Sequence, residues 1–454
     1  MIVESRSARG TDAATETVDA IVVGGGLAGL VVAHLVSQNG YRTVLVEKSE
    51  HLGGFDRSFR NANGRPFDFG LHVLDHMRSE FTTRLFESIV DGRVHAVERD
   101  RGIVLGGHVI PYNTPLEEWP ESLRRMFPDG DVIDTIGTQA PTRERIASVY
   151  GAAFADHVFD DALRSYPSDH RHLSFGIEEE RLVSGLYPWF FPRVPRSKAE
   201  LDESRRYQDR VRETRREWML YPDAGGFGAF VDGFRQTLEA RGVAIRTGVE
   251  LELDWDEEAG RVRRVAAGDE AWSSQRIYWC APGTVLAGLP AQETIDARPD
   301  RFVLGSFEFD REVSTPHNEL IVADPDHLMN RVSFPGKLAL DRDDRVQIEF
   351  AFPKDHELGE RNDSFWMESW LSSLKQLGIV PLDAEVADFD LKRVLTFYNS
   401  FGIDGRPMPE VDLSFVPEDS NLRPVIPTIA KANINRRVPQ YFEFLARDLA
   451  SNPT

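Results

Sequence analysis

Six residues, Gly24-Gly25-Gly26-Leu27-Ala28-Gly29, follow an apolar run closing at Val22-Val23 and open an apolar helical pattern that reaches Leu35 and Val36. After Gly40 a second apolar run, Val44-Leu45-Val46, ends in Glu47. Strand, glycine turn, helix, strand and acid in this order read as a dinucleotide-binding βαβ unit. Gly24 permits the turn, Gly26 lets backbone approach a pyrophosphate, and Gly29 lets helix and strand pack closely. Ala28 lies in the first helical turn, whose unpaired N–H groups and positive dipole end suit phosphates. Glu47 is set to accept hydrogen bonds from ribose hydroxyls, which favours NAD or FAD over NADP. Gly-x-Gly-x-x-Gly alone also occurs in structural turns; here strand, helix, spacing and acid agree with it.

Other residues could join such a site. Gly53-Gly54 marks another close backbone approach, or else an ordinary surface turn. His72 has the near-neutral intrinsic pKa that suits proton exchange; a satisfied, half-buried histidine is the alternative. Arg193 sits among aromatics and prolines in Leu186–Arg196, a plausible cavity wall in which arginine could grip a diphosphate. A Pro-rich core loop with Arg193 in a surface ion pair fits the same residues. Cys280, the only cysteine, lies in an apolar run and reads as an inert core thiol. It permits no intramolecular disulfide and no cysteine-cluster metal site, and no metal is expected.

These residues need a scaffold, and 454 residues usually make two or three domains. The net charge of −21 argues against nucleic acid or an anionic membrane as partner. No stretch is long and apolar enough to span a membrane, and the start lacks a signal peptide's apolar core, so a cytoplasmic location is expected. Residues 1–18 are polar and read as a disordered lead-in. A helix is predicted over 79–90 and strands over 94–97 and 102–110. Residues 116–220 carry charged helical patterns at 117–127, 144–164 and 199–217, the last a solvated face. A strand then enters Tyr221-Pro222, crosses Gly225-Gly226 and starts a helix that stops at Gly242. Residues 243–252 alternate as a strand, and 277–282 read as a buried one. From 299 the alternation predicts an antiparallel sheet, with helices at 363–378 and near the end.

Glu47-Lys48-Ser49-Glu50-His51-Leu52-Gly53-Gly54 resembles the E-x-x-x-x-x-G-G segment of two-dinucleotide-binding-domain flavoproteins. Phe67-Asp68-Phe69-Gly70-Leu71-His72 resembles the F-D-x-G-x-H element of the amine-oxidase and UDP-galactopyranose-mutase superfamily, and Tyr221–Gly226 its Y/F-P-x-G-G segment. The resemblance implies FAD as cofactor. Lys48, Gly53 and Gly54 would lie along it with Arg57 or Ser58 close by, Gly70 and His72 by the isoalloxazine ring, Gly225 and Gly226 beside the flavin, and Val249 at the adenine end. The C-terminal stretch departs from the family: no Gly-Asp follows residue 400, and Asn433 stands at one of the usual polar positions. The fold class implied is α/β, a Rossmann-like FAD-binding domain built from discontinuous segments (19–115, 221–298 and 408–454) with an interleaved α+β substrate domain (116–220 and 299–407).

Two enzyme readings follow. A mutase-like enzyme would interconvert ring forms of a nucleotide sugar, with reduced flavin as nucleophile and arginines above it for the diphosphate: Arg193, Arg393 and Arg423, with Tyr398 lining the same cavity. An amine-oxidase-like or desaturase-like oxidoreductase would pass hydride from a small organic substrate to FAD. The superfamily supports both. A binding module that keeps FAD as a structural ligand ranks third. The partner expected is a small molecule, and a homodimer is the one macromolecular association left open.

Overall fold

A computed structural model describes residues 14–75, 79–112, 114, 118–125, 143–144, 147, 151–160, 199, 203, 206, 218–281, 300–396, 416–425 and 434–451. Five short strands form a parallel sheet: β1 (Ala20–Val23), β2 (Thr43–Val46), β3 (Ala244–Arg246), β4 (Ile277–Trp279) and β5 (Leu422–Pro424), in the order β3-β2-β1-β4-β5. Distant parts of the chain supply neighbouring strands, so this α/β Rossmann-like domain is discontinuous. Strands buried on both faces read as unbroken apolar runs, and β1 (AIVV) and β2 (TVLV) are buried throughout.

Five helices matter here: α1 (Leu27–Gln38), α2 (Glu80–Ile89), α3 (Gly228–Ala240), α4 (Asp363–Gln376) and α5 (Ile434–Ser451). Helix α1 is apolar nearly all round because it lies between the sheet, α3 and α5, in one core with Phe86, Phe230, Phe234 and Val438. The sheet's other face packs Val23, Val46 and Trp279 against Val265 and Trp272 of a four-stranded sheet. Thr15–Thr17 pairs in parallel with Glu270–Ser273 at the edge of that sheet, and Val18 is buried. The end of the expected lead-in is therefore structured, held by its backbone although its side chains are polar.

The interleaved domain is built on a seven-stranded sheet. Its order is 386–396, 300–309, 345–353, 331–333, 319–322, 101–105, 108–111. Arg101–Leu105 and His108–Pro111 thus belong to this sheet, the former pairing in parallel with Glu319–Val322. Helix α4 lays Trp366 and Trp370 on it, and Gly305 makes room: a Cβ there would stand 2.2 Å from the Trp370 ring. No described helix is long and apolar enough to cross a membrane.

Candidate functional site

The Gly24–Gly29 turn leaves no space on its protein side. Gly24 has φ +101, and a Cβ on Gly29 would stand 1.7 Å from the Gly24 carbonyl oxygen. Gly26 is the opposite case, because a Cβ there would meet nothing within 4 Å. It is the N-cap of α1, and that helix has no side-chain cap and no acid in its first turn. The N-terminal N–H groups are therefore left for an outside acceptor. Gly53-Gly54 lies alongside: Gly53 N–H donates to Gly25 O at 2.8 Å, Gly26 and Gly53 form a parallel bridge, and both Gly53 and Gly54 have positive φ. Two glycine turns thus form one cradle with open space above Gly26.

Glu47, at the end of β2, fixes the rim. Its Oε2 accepts from Gly25 N–H at 2.5 Å and its Oε1 from Ser49 N–H at 2.7 Å. Each oxygen keeps a second lone pair for a hydroxyl. Val249 N–H donates to Glu47 O at 3.4 Å, which brings the 247–249 turn to the same rim. Lys48 is half-exposed and meets Glu250 at 3.7 Å. Arg57 lies over the Phe69 ring at 4.5 Å and reaches Ser49 Oγ at 3.5 Å, while its buried Nε finds no partner among the described residues. Burial lowers the Arg57 pKa, against the pull of the Glu47 charge.

His72 follows Gly70, whose φ is +106. Its Nε2 lies 3.2 Å from Phe69 O, its Nδ1 is 3.6 Å from Asp56 Oδ1, and its ring is 5.7 Å from that of Phe227. A carbonyl only accepts, so Nε2 is the donor in that contact. Gly225 and Gly226, both at positive φ, lead into α3. Under them lies Asp68, which the sequence displays in its motif without marking it as the centre it is. Asp68 accepts from Ser58 Oγ at 2.5 Å, Tyr221 Oη at 2.6 Å and Phe227 N–H at 2.9 Å. A Cβ on Gly226 would stand 2.5 Å from its Oδ1. Burial raises the Asp68 pKa despite these donors, and burial with the nearby Asp68 charge raises that of Tyr221.

The seven-stranded sheet meets this segment through one strand. Arg345 Nη1 donates to Pro66 O at 2.7 Å, Gln347 Nε2 to Asp68 O at 2.5 Å, and Glu349 Oε1 accepts Leu71 N–H at 2.7 Å. These alternate residues are almost fully buried, while Val346, Ile348 and Phe350 fill the sheet's own core.

Not every expected residue converges here. Arg193, Tyr398 and Asn433 lie outside the described residues. Arg393 is salt-bridged to Asp363 at 2.6 Å, at the start of α4. Its neighbour Lys392 faces the other way, 4.9 Å from the Phe59 ring, because successive strand residues point to opposite faces. Arg423 is held by Asp448 of α5 at 2.6 Å. Cys280 is partly buried, and burial raises its pKa far above the ordinary thiol range, as befits an inert thiol. A cavity of about 1150 Å³ borders α3, with Arg57, Phe59, Phe69, Gly225 and Lys392 in its wall; Gly24, Gly26, Glu47, Gly53, Gly54 and His72 are outside that wall. It neighbours the cradle without containing it. Among the described residues, no group of three His, Cys, Asp or Glu side chains could hold a metal ion.

Residues 22–89 match the model of an NAD(P)-binding Rossmann-like domain. The all-trans-retinol 13,14-reductase of Rattus norvegicus is 28% identical over 126 residues, 26% of this chain and 20% of the reductase. The match therefore spans about a fifth of that relative's length. Reduced UDP-galactopyranose mutase superposes with a TM-score of 0.69 at 15% identity, covering 96% of this chain and 97% of the mutase. Putrescine oxidase bound to putrescine superposes with a TM-score of 0.56 at 14% identity, covering 97% and 100%. The fold is thus the one seen in UDP-galactopyranose mutase and putrescine oxidase.

Proposed function

We propose that this chain is a FAD-dependent oxidoreductase acting on a small organic molecule. The observation that carries the reading is the open cradle above Gly26, where an uncapped helix N-terminus and two glycine turns leave room for a diphosphate. The α1 N-terminus and Gly53-Gly54 backbone would hold the pyrophosphate of FAD, Glu47 a ribose, Arg57 the phosphate side and Val249 the adenine end. Gly70, Gly225 and Gly226 would lie along the flavin, with Ala28 in the first turn of α1 and Lys48 at the rim. FAD, when bound, supplies a two-electron acceptor and donor.

The chain's own residues supply orientation and proton handling. Asp68 ties the His72 segment to the Gly225-Gly226 turn, and the Phe227 ring lies 5.7 Å from that of His72. Nδ1 of His72, 3.6 Å from the Asp56 carboxylate, is the atom proposed to exchange a proton with substrate.

An oxidoreductase is preferred because two of the arginines wanted for a diphosphate-bearing substrate, Arg393 and Arg423, are already salt-bridged to Asp363 and Asp448. One sequence relative, matched over a fifth of its length, is also a reductase by name. A nucleotide-sugar mutase is the second reading, supported by the full-length likeness to UDP-galactopyranose mutase. Flavin spectroscopy separates them. An oxidoreductase loses its oxidised flavin absorption when substrate is added without air. A mutase turns over nucleotide sugar only after chemical reduction and shows no net redox change.

A further inference from the structure

The polar face of the strand Arg345–Pro353 is unusual. Arg345, Gln347 and Glu349 are 1%, 1% and 4% exposed, yet they face away from their own sheet's core. Each bonds backbone of residues 66–71, the stretch that ends at His72. Glu349 is the last rung and the only anionic one. Arg331 holds its carboxylate with two hydrogen bonds, Nε to Oε1 at 2.9 Å and Nη2 to Oε2 at 2.5 Å. Beyond Arg331 the charges continue: Arg331 lies 4.0 Å from Glu319, Glu319 accepts from Arg99 at 2.8 Å, and Arg99 lies 3.6 Å from Asp75. The chain of charges begins at Leu71 and returns at Asp75, so it grips both sides of His72. A Cβ at Gly70 would stand 3.5 Å from the Glu349 carboxylate, so that group lies directly against the Gly70–Leu71 backbone.

We infer that Glu349 is a positioning residue that sets the Gly70–His72 backbone against the flavin and balances the Arg331 charge behind it. The inference rests on the proposed FAD site. A buried carboxylate paired with arginine and bonded to a backbone N–H is an over-determined joint, and removing it leaves both partners unmatched. The charge also has a direction of effect. Arg331 balances this carboxylate, so Glu349→Gln leaves the Arg331 cation uncompensated, and added positive charge near a flavin favours its electron-rich reduced form.

The test compares Glu349→Gln, which keeps an acceptor for Leu71 N–H, with Glu349→Ala, which does not. Midpoint potentials of the FAD-loaded proteins are read by dye-coupled reduction, and exchange of the Leu71 amide is read in the apoproteins. Glu349→Gln is expected to bind FAD and to favour reduced flavin about tenfold, roughly 30 mV for a two-electron couple. Glu349→Ala is expected to add at least tenfold faster exchange at Leu71, which Glu349→Gln largely restores. A Glu349→Gln holoprotein with wild-type potential overturns the charge role, and unchanged Leu71 exchange in Glu349→Ala overturns the positioning role. A folded wild-type protein that takes up no FAD overturns the flavin reading itself, and this inference with it.

Discussion

Tyr221 Oη donates to Asp68 Oδ2 at 2.6 Å across 153 positions of sequence. This bond joins the strand that precedes Gly225-Gly226 to the segment that precedes His72. Losing it strands a buried carboxylate oxygen. Tyr221→Phe is therefore expected to cost about 1–3 kcal/mol, read by urea unfolding.

Asp68 also predicts a pH effect. Its native pKa is raised by burial, so the folded state holds this proton at pH values where the unfolded chain has lost it. Stability from this group is present at low pH and declines as pH rises from the ordinary carboxylate value to the native one. Asp68→Asn should accordingly lose less stability relative to wild type at neutral pH than at pH about 4, the region where an ordinary carboxyl titrates. Thermal melts at the two pH values check this.

His34 works in the opposite sense. Buried in α1 and 3.4 Å from Arg241, its pKa falls from 6.5 to about 4, through burial first and the Arg241 charge second. The neutral ring is the native form, so its contribution is complete above pH 6.5 and is lost as pH falls towards 4. At most about 3 kcal/mol is at stake. His34→Gln should flatten the melting temperature over that window, although it lowers stability at neutral pH.

Two glycines of one turn should fail differently. Gly29→Ala drives a methyl into the Gly24 carbonyl and should cost about 3 kcal/mol or more, with loss of folded protein. Gly26→Ala meets no protein atom, so it should fold within about 1 kcal/mol of wild type. Its methyl would stand where the diphosphate is proposed, and FAD affinity should drop roughly tenfold or more, which is 1.4 kcal/mol. Circular dichroism and FAD titration separate the two outcomes.

Arg393→Ala should change stability by less than about 1 kcal/mol, since its bond to Asp363 is largely solvent-exposed. The same variant should leave FAD affinity at the wild-type value.

The Rossmann-like half was legible because its signals are local. Turn, helix and acid in residues 20–47 lie within one supersecondary unit, and each apolar run is buried where it stands. The strand at 345–353 was legible as alternation, but alternation implies one face in water. That its polar face is buried against residues 66–71 is a relation between distant segments, which no local period encodes. Arg393 illustrates the parity of a strand: sequence proposed the cation, and a shift of one residue decides which face it takes. Asp68 stood in a recognised motif, yet its three donors come from residues 58, 221 and 227. Strands 101–105 and 108–111 had the right form, and only their partners assign them to the second sheet.

The most direct test of the account is FAD binding by the purified, folded chain. Titration of apoprotein with FAD should give stoichiometric uptake, a shifted flavin spectrum, and much weaker uptake by Gly26→Ala. Folded protein that stays colourless in excess FAD, or that binds FAD equally well with alanine at position 26, would contradict the cradle as the cofactor's seat.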